Sequence, residues 1–356
     1  MKRAKLIISL VLLVVFVGLG IYAYNHVHFS FAIFRSQLAQ ADWGKMAIAS
    51  VCIYLGYVLR SIRWALFLKP TKPVGPFDLL GTQVIGFTAV ALLGRAADPV
   101  RPYLVTRRTG LPLSSQFAVY VVERMFDLGS MTLIFSTAIL WAQREALPHA
   151  ELLQRVAKGG LIVTAFLAAF TVAVRLAGGA VAVSLEKTLG MFSKTLGHSV
   201  GEKIRNFRDG LNTLKTTADL GLAILLSMAM WGLITLAYLE ITRAFVASPQ
   251  LADMTLAKCM VLMASSMLAS GVSLPIIGWF TQIGLVAAAM SSFFGVAPEP
   301  ATACATMLLA ITFLEIVPVG LVWAWVGKLS LRKVTAESEE ASHHVGETAV
   351  EGAGEV

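Results

Sequence analysis

Residues 79–108 read LLGTQVIGFTAVALLGRAADPVRPYLVTRR. The run 79–94 is apolar but holds only sixteen residues, and a helix that crosses a bilayer needs roughly 20. Arg95, Arg101, Arg107 and Arg108 follow it. Lys and Arg collect on the cytoplasmic side of membrane proteins, so a full crossing here would leave four arginines on the wrong side. The run therefore reads as a re-entrant element that enters from the cytoplasm and returns, with Gly94 at its turn.

Working outward, further apolar runs lie at about 6–24, 44–68, 114–142, 159–183, 219–247, 256–274, 276–294 and 300–327. Lys2, Arg3 and Lys5 place the N-terminus inside, and the first run reads as an uncleaved helix because no small-residue cleavage site follows it. Arg60, Arg63, Lys69 and Lys72 then mark the inner end of 44–68. Lys187, Lys194, Lys203, Arg205, Arg208 and Lys215 mark an inner loop between 159–183 and 219–247. The runs 256–274 and 276–294 are broken at Pro275 and Gly278 and read as a hairpin entering from outside.

The expected fold is all-α and polytopic, with about six spans, two re-entrant elements and both termini cytoplasmic. Span, hairpin and span occur twice, once from each face, which is the outline of an inverted repeat.

Composition agrees. Apolar residues make up 57% and charged residues 14% of the 356, with mean hydropathy +0.74. A soluble surface needs roughly 25% charged residues, so lipid must be the solvent. The net charge of +8 divides unevenly. Thr335 to Val356 holds six glutamates and no Lys or Arg, which leaves 29 basic and 15 acidic residues before it. That surplus is scattered between apolar runs, so nucleic acid is not an expected partner.

The expected organisation is a membrane domain over 1–333 and a disordered acidic tail over 334–356. Within the domain, 184–218 repeats apolar residues every three or four positions. It reads as an amphipathic helix, either on the inner leaflet or packed on the bundle. Cys52, Cys259 and Cys304 sit in apolar runs without metal spacing and read as packing residues. No cofactor or metal site is read from the sequence, and His26 with His28 make a poor metal argument.

Ionisable groups inside membrane runs are costly and therefore informative. Arg95, Asp98 and Arg101 stand beside the first re-entrant element, and Glu123, Arg124 and Asp127 within 114–142. Glu123 and Asp127 share a helix face, with Arg124 about 100° away. Two readings compete: a cavity for a charged lipid headgroup, or an ion-pair network that only holds the hairpin. Metal binding by Glu123 and Asp127 is a minor third. Arg60 and Arg63 beside Trp64 are interfacial anchors or a phosphate-contacting pair at the cavity mouth. Gln282 and Glu315 are lesser candidates, and Glu240 and Arg243 lie near an outer helix end. No nucleophile with its base, no phosphate-cradling Gly-rich loop and no HExxH is present.

Arg63-Trp64, Gly94 through Leu104, Arg107-Arg108-Thr109-Gly110 and Val122 to Asp127 resemble the flippase-like membrane domain family. That family comprises the transmembrane region of lysylphosphatidylglycerol synthases and stand-alone relatives, and the resemblance covers about 5–330. It implies re-entrant helices and the handling of phospholipids or lipid-linked molecules in the bacterial inner membrane. The expected function is thus a lipid translocase for an anionic headgroup. An enzyme or accessory subunit of lipid-linked sugar or isoprenoid metabolism, or a scaffold for partner enzymes, is the alternative. Asp98 stands where the family commonly has Glu. Pro275 to Thr281 keeps one Pro and one Gly of the family's richer turn, Gly284 stands in place of a Glu, and an Arg is missing near Ile311. No aminoacyl-transferase domain follows Lys333, so lipid lysylation is not expected of this sequence.

Overall fold

The structure is a computed structural model that describes residues 30–142, 150–191, 197, 200–201, 216–269 and 277–351. The run 6–24, most of the 184–218 stripe and Pro275 lie outside the described residues. Among those described, every regular element is helical. They are α1 (Phe31–Ala39), α2 (Trp43–Leu68), α3 (Pro76–Leu93), α4 (Val100–Thr109), α5 (Leu113–Trp141) and α6 (Ala150–Gly190). Then come α7 (Thr217–Arg243), α8 (Leu256–Ala269), α9 (Ile277–Phe294), α10 (Pro298–Leu309), α11 (Ile316–Val326) and α12 (Leu331–Glu351), with a π-helical segment, Ala310–Leu314, between α10 and α11.

The chain is an all-α polytopic membrane protein. Trp43–Leu68, Pro76–Leu93, Ala150–Phe170, Thr217–Arg243 and Pro298–Val326 are long and apolar enough to cross a membrane. At 29 residues α5 is also long enough, but Glu123, Arg124 and Asp127 lower its hydropathy. Helix starts carry their expected signals. The Asp42 carboxylate accepts from the amides of Gly44 and Lys45, and Thr216 with Asp219 forms a capping box at the head of α7.

Long spans align by ion pairs at both ends. Helices α2 and α7 run antiparallel, with Lys45–Glu240 (3.7 Å) at one end and Lys69–Asp219 (3.4 Å) at the other. The α3/α4 hairpin belongs to the second of these faces. Lys72 Nζ donates to the Thr109 carbonyl at 2.6 Å, and Arg108 pairs with Asp78 at 3.5 Å. The end of α4 thus returns to the start of α3, as a re-entrant element must. The length argument needs correction, because Pro76, Phe77 and Asp78 join the helix and bring α3 to 18 residues. Parity and the fold-back, rather than a short helix, make it re-entrant.

Gly94 turns this hairpin with φ 78°, a left-handed conformation that costs a residue with a Cβ. Gly86 allows the close approach of the two arms, since a Cβ there would overlap the Arg101 side chain.

The α8/α9 hairpin enters from the opposite face. Arg243 Nε donates to the Met254 carbonyl (2.9 Å), and the Asp42 amide to Ala244 (2.8 Å). The Ser30 amide bonds Glu299 at the head of α10 (3.0 Å). Inside the bundle the two hairpins meet, where Trp279 Nε1 in the first turn of α9 donates to the Ala91 carbonyl at 3.2 Å. Element order therefore repeats span, hairpin and span, with entry from opposite faces.

Two helices outrun their hydropathy signals. Helix α6 has 41 residues with a non-helical kink at Ala177 (φ −137°, ψ 32°), because its first turns carry Glu151, Arg155 and Lys158, which lower hydropathy without breaking a helix. The expectation of a disordered tail from 334 does not hold as far as Glu351: α12 is helical. Val334 and Ser338 are buried on the bundle, and the Glu337 carboxylate accepts from the Tyr103 hydroxyl at 2.9 Å. Tertiary contact supplies here what apolar periodicity does not.

Candidate functional site

Three helices, α2, α4 and α5, bring charged side chains to one place, and α3 and α7 add neutral polar partners. Arg60 and Arg63 share a face of α2 at i,i+3, and Glu123 and Asp127 share a face of α5 at i,i+4. Arg63 Nη2 lies 2.8 Å from Glu123 Oε1 and 2.8 Å from Asp127 Oδ1. Its Nη1 donates to Ser227 Oγ of α7 at 2.6 Å. From α4, Arg101 Nη2 meets Glu123 Oε2 at 2.6 Å, while its Nε donates to Gln83 Oε1 of α3 at 3.0 Å. Arg60 stands 3.4 Å from Asp127 and 3.5 Å from Glu123, and Arg124 lies 3.0 Å from Asp127.

Charge does not balance in this cluster. Four guanidinium groups (Arg60, Arg63, Arg101, Arg124) surround two carboxylates (Glu123, Asp127), a sum of +4 − 2 = +2. Aromatic faces supply part of the difference. The Arg101 guanidinium sits 4.4 Å from the Phe87 ring centre and 5.1 Å from that of Trp64, while Arg60 and Arg124 lie over Phe87 and Tyr120. A ring quadrupole is a weak counterion, so the cluster still favours an anion. Arg124 Nε is sealed from solvent with no acceptor among the described residues.

A cavity of about 380 Å³ opens beside the cluster, between the hairpin tips and the spans α2 and α7. Arg60, Arg95, Asp98, Arg124 and Gln282 line it. Arg63, Arg101, Glu123 and Asp127 are not on that wall. They lie buried behind it, with Arg63 and Glu123 1% exposed. The sequence reading grouped all nine as binding residues, whereas the structure separates a wall from an anchor. Arg124, set at 100° from the carboxylates, is the α5 charge that reaches the cavity because its neighbours face inward to α2.

Tyr57, Tyr120, Trp231, Tyr238 and Trp279 complete the wall. The sequence carried no signal for them, since aromatic residues in apolar runs are ordinary membrane-core residues. Gln282 Nε2 and the Tyr238 hydroxyl both donate to Ser266 Oγ, at 2.9 and 3.0 Å. Among the described residues, no group of three His, Cys, Asp or Glu side chains is placed to hold a metal ion. Arginines on every side of Glu123 and Asp127 oppose a metal cation electrostatically.

Residues 4–320 match the family described as the lysylphosphatidylglycerol synthase TM region. The chain belongs to that family. Of its curated relatives, glycosyltransferase AglD of Haloferax volcanii is 36% identical over 96 residues. That segment covers 26% of this chain and 15% of the relative's length. No solved structure matches. The match to the lysylphosphatidylglycerol synthase TM region includes every charged residue of the cluster, from Arg60 to Asp127.

Proposed function

We propose that this chain is a lipid translocase that receives the anionic headgroup of a phospholipid or lipid-linked molecule in the cavity between its hairpin tips. The observation that carries this reading is the cluster's excess of two positive charges against a cavity wall. A purely structural ion-pair network gains nothing from surplus cations in a low-dielectric site. An anionic ligand removes the surplus.

Arg60, Arg95 and Arg124 contact the headgroup, and guanidinium forks suit phosphate oxygens. Arg63, Arg101, Glu123 and Asp127 hold those groups in place. The acyl or isoprenoid chains remain in lipid. Hairpins reaching the cavity from opposite faces give each leaflet a gate, as alternating access requires. The face carrying Lys69, Lys72, Arg107 and Arg108 is the cytoplasmic one, by the distribution of basic residues, in a bacterial inner membrane. Leaflet exchange of headgroup-labelled lipids in proteoliposomes tests the proposal.

The similarity to a glycosyltransferase, together with the aromatic wall, favours one second reading: service in lipid-linked sugar chemistry. Turnover of a lipid-linked sugar by the purified protein is the result that supports it.

A further inference from the structure

Glu315 takes no part in the arginine cluster and stands in an apolar crossing. It follows the π-helical segment Ala310–Leu314 in the last crossing, and its amide donates to the Ala310 carbonyl at 2.7 Å, five residues back. Ser50 Oγ of α2 donates to Glu315 Oε2 at 2.8 Å, and the Tyr54 hydroxyl donates to the Glu315 carbonyl at 3.0 Å. Glu315 Oε1 is sealed from solvent and has no hydrogen-bond partner among the described residues. Among the described residues no Lys, Arg or His lies within 4.0 Å of the carboxyl group. Arg60 of α2 is held instead by Asp127 and Glu123.

An ionised carboxylate in such a place lacks both a counter-charge and a donor for one oxygen. A proton on Oε1 removes the charge, while Oε2 continues to accept from Ser50. A metal cation would instead need several oxygen lone pairs turned toward it. Here Ser50 donates its hydrogen to Oε2, Tyr54 is spent on the backbone carbonyl, and no further oxygen ligand faces Oε1 among the described residues, so a proton is the ligand that fits.

Of the helices packed against this segment, α2 carries Lys45, Cys52, Tyr54, Tyr57, Arg60 and Arg63, α3 carries Asp78, α7 carries Asp219, Tyr238, Glu240 and Arg243, and α10 carries Glu299 and Cys304. None of them pairs with the carboxyl group.

The surroundings give protonation a route to the cavity. Thr312 and Phe313 of the π segment line the cavity wall. Thr88 Oγ1 of the re-entrant α3 donates to the Ile316 carbonyl at 3.2 Å. Tyr57 lies one turn beyond Tyr54 on the cavity wall, and its ring is 5.2 Å from Phe87, on which the Arg60 and Arg101 guanidinium groups rest. A π segment holds one residue more than an α-helix over the same hydrogen-bond frame and can return to α-helical register. That shift would turn Thr312 and Phe313 relative to the cavity.

We infer that Glu315 is a proton-binding site whose charge state sets the register of the π segment and so couples proton uptake to opening of the headgroup cavity. One proton enters on Oε1 and leaves from it, and the site changes by one charge per cycle. The coupling rests on the translocase reading, but the proton site does not.

The test has two arms. Infrared difference spectra of the purified protein in nanodiscs across a pH titration should show a carboxylic acid C=O band at neutral pH. That band is absent in Glu315→Gln and shifted in Ser50→Ala, which loses the hydroxyl donor but keeps the carboxyl group. Spectra of wild type and Glu315→Gln with the same bands overturn the site. In proteoliposomes holding a labelled anionic lipid, an imposed pH gradient should change the exchange rate at least tenfold in wild type and leave Glu315→Gln unmoved. A wild-type rate indifferent to the pH gradient but driven by a sodium gradient overturns the coupling. A Glu315 band in a protein that moves no lipid keeps the site and removes the translocase reading.

Discussion

Trp279 and Ala91 join the two re-entrant hairpins: the indole Nε1 of one donates to the backbone carbonyl of the other at 3.2 Å. The donor stands in the third residue of α9 and the acceptor in the last turn of α3. This bond closes one side of the cavity, and both residues line its wall. The proposed translocation requires contacts here to break while the spans stay packed. Trp279→Phe keeps an aromatic ring and removes the donor, at a cost of about 1 kcal/mol in net hydrogen bonding. Headgroup-lipid exchange should change severalfold, with the melting temperature in detergent lowered by only a few degrees.

Anchor and wall should separate under mutation. Glu123→Gln leaves Arg63 and Arg101 facing a neutral amide in a buried site, and breaking buried pairs typically costs about 3–5 kcal/mol. Arg124 is 40% exposed along its side chain and makes its pairs at the cavity edge. Its replacement by Ala should cost about 1 kcal/mol or less. Thermal unfolding in detergent should therefore show a large loss for Glu123→Gln and a small one for Arg124→Ala. Similar losses in both variants would remove the distinction between the two layers.

The close crossing of α3 and α4 has its own test. Gly86→Ala places a methyl group against the Arg101 side chain, and overpacking of this kind costs about 1–3 kcal/mol. Gly129 on α5 has open space around the same added atom, so Gly129→Ala should be neutral or slightly stabilising. Comparing the two melting temperatures isolates the effect of Arg101 from the general effect of glycine in a helix.

Topology can be read by thiol labelling in a background lacking Cys52, Cys259 and Cys304, all of them buried. Lys72→Cys and Arg108→Cys should both react with an impermeant reagent from one side of the membrane, and Val246→Cys from the other. Opposite-side labelling of Lys72→Cys and Arg108→Cys would turn the first hairpin into a crossing and reverse every later span.

Parity made the hairpin at 79–108 legible. Four arginines after a short apolar run have one economical placement, and the Lys72–Thr109 and Arg108–Asp78 contacts agree with it. The need of Glu123 for a cation such as Arg101 was legible, because carboxylates in a membrane run need partners. The place of Arg63 between Glu123 and Asp127 was not, since Arg60 and Arg63 read as interfacial anchors or a phosphate-contacting pair. The cluster's division into wall and anchor was not legible, because helical spacing says which residues share a face but not which neighbour that face meets. Helix α12 was missed because its support comes from Tyr103 and buried Val334 rather than from its own pattern. The π segment leaves no local sequence mark either, since it depends on what Glu315 meets on α2.

The most direct test of the central claim is leaflet exchange in proteoliposomes. Headgroup-labelled anionic and zwitterionic lipids are followed by dithionite quenching, for wild type and Arg124→Ala. Anionic lipid should exchange faster than zwitterionic lipid in wild type. Arg124→Ala should lower that rate about tenfold, equivalent to 1.4 kcal/mol, without loss of folded protein. Equal rates for the two lipid classes, or an anionic rate unchanged by Arg124→Ala, would contradict a headgroup site in this cavity.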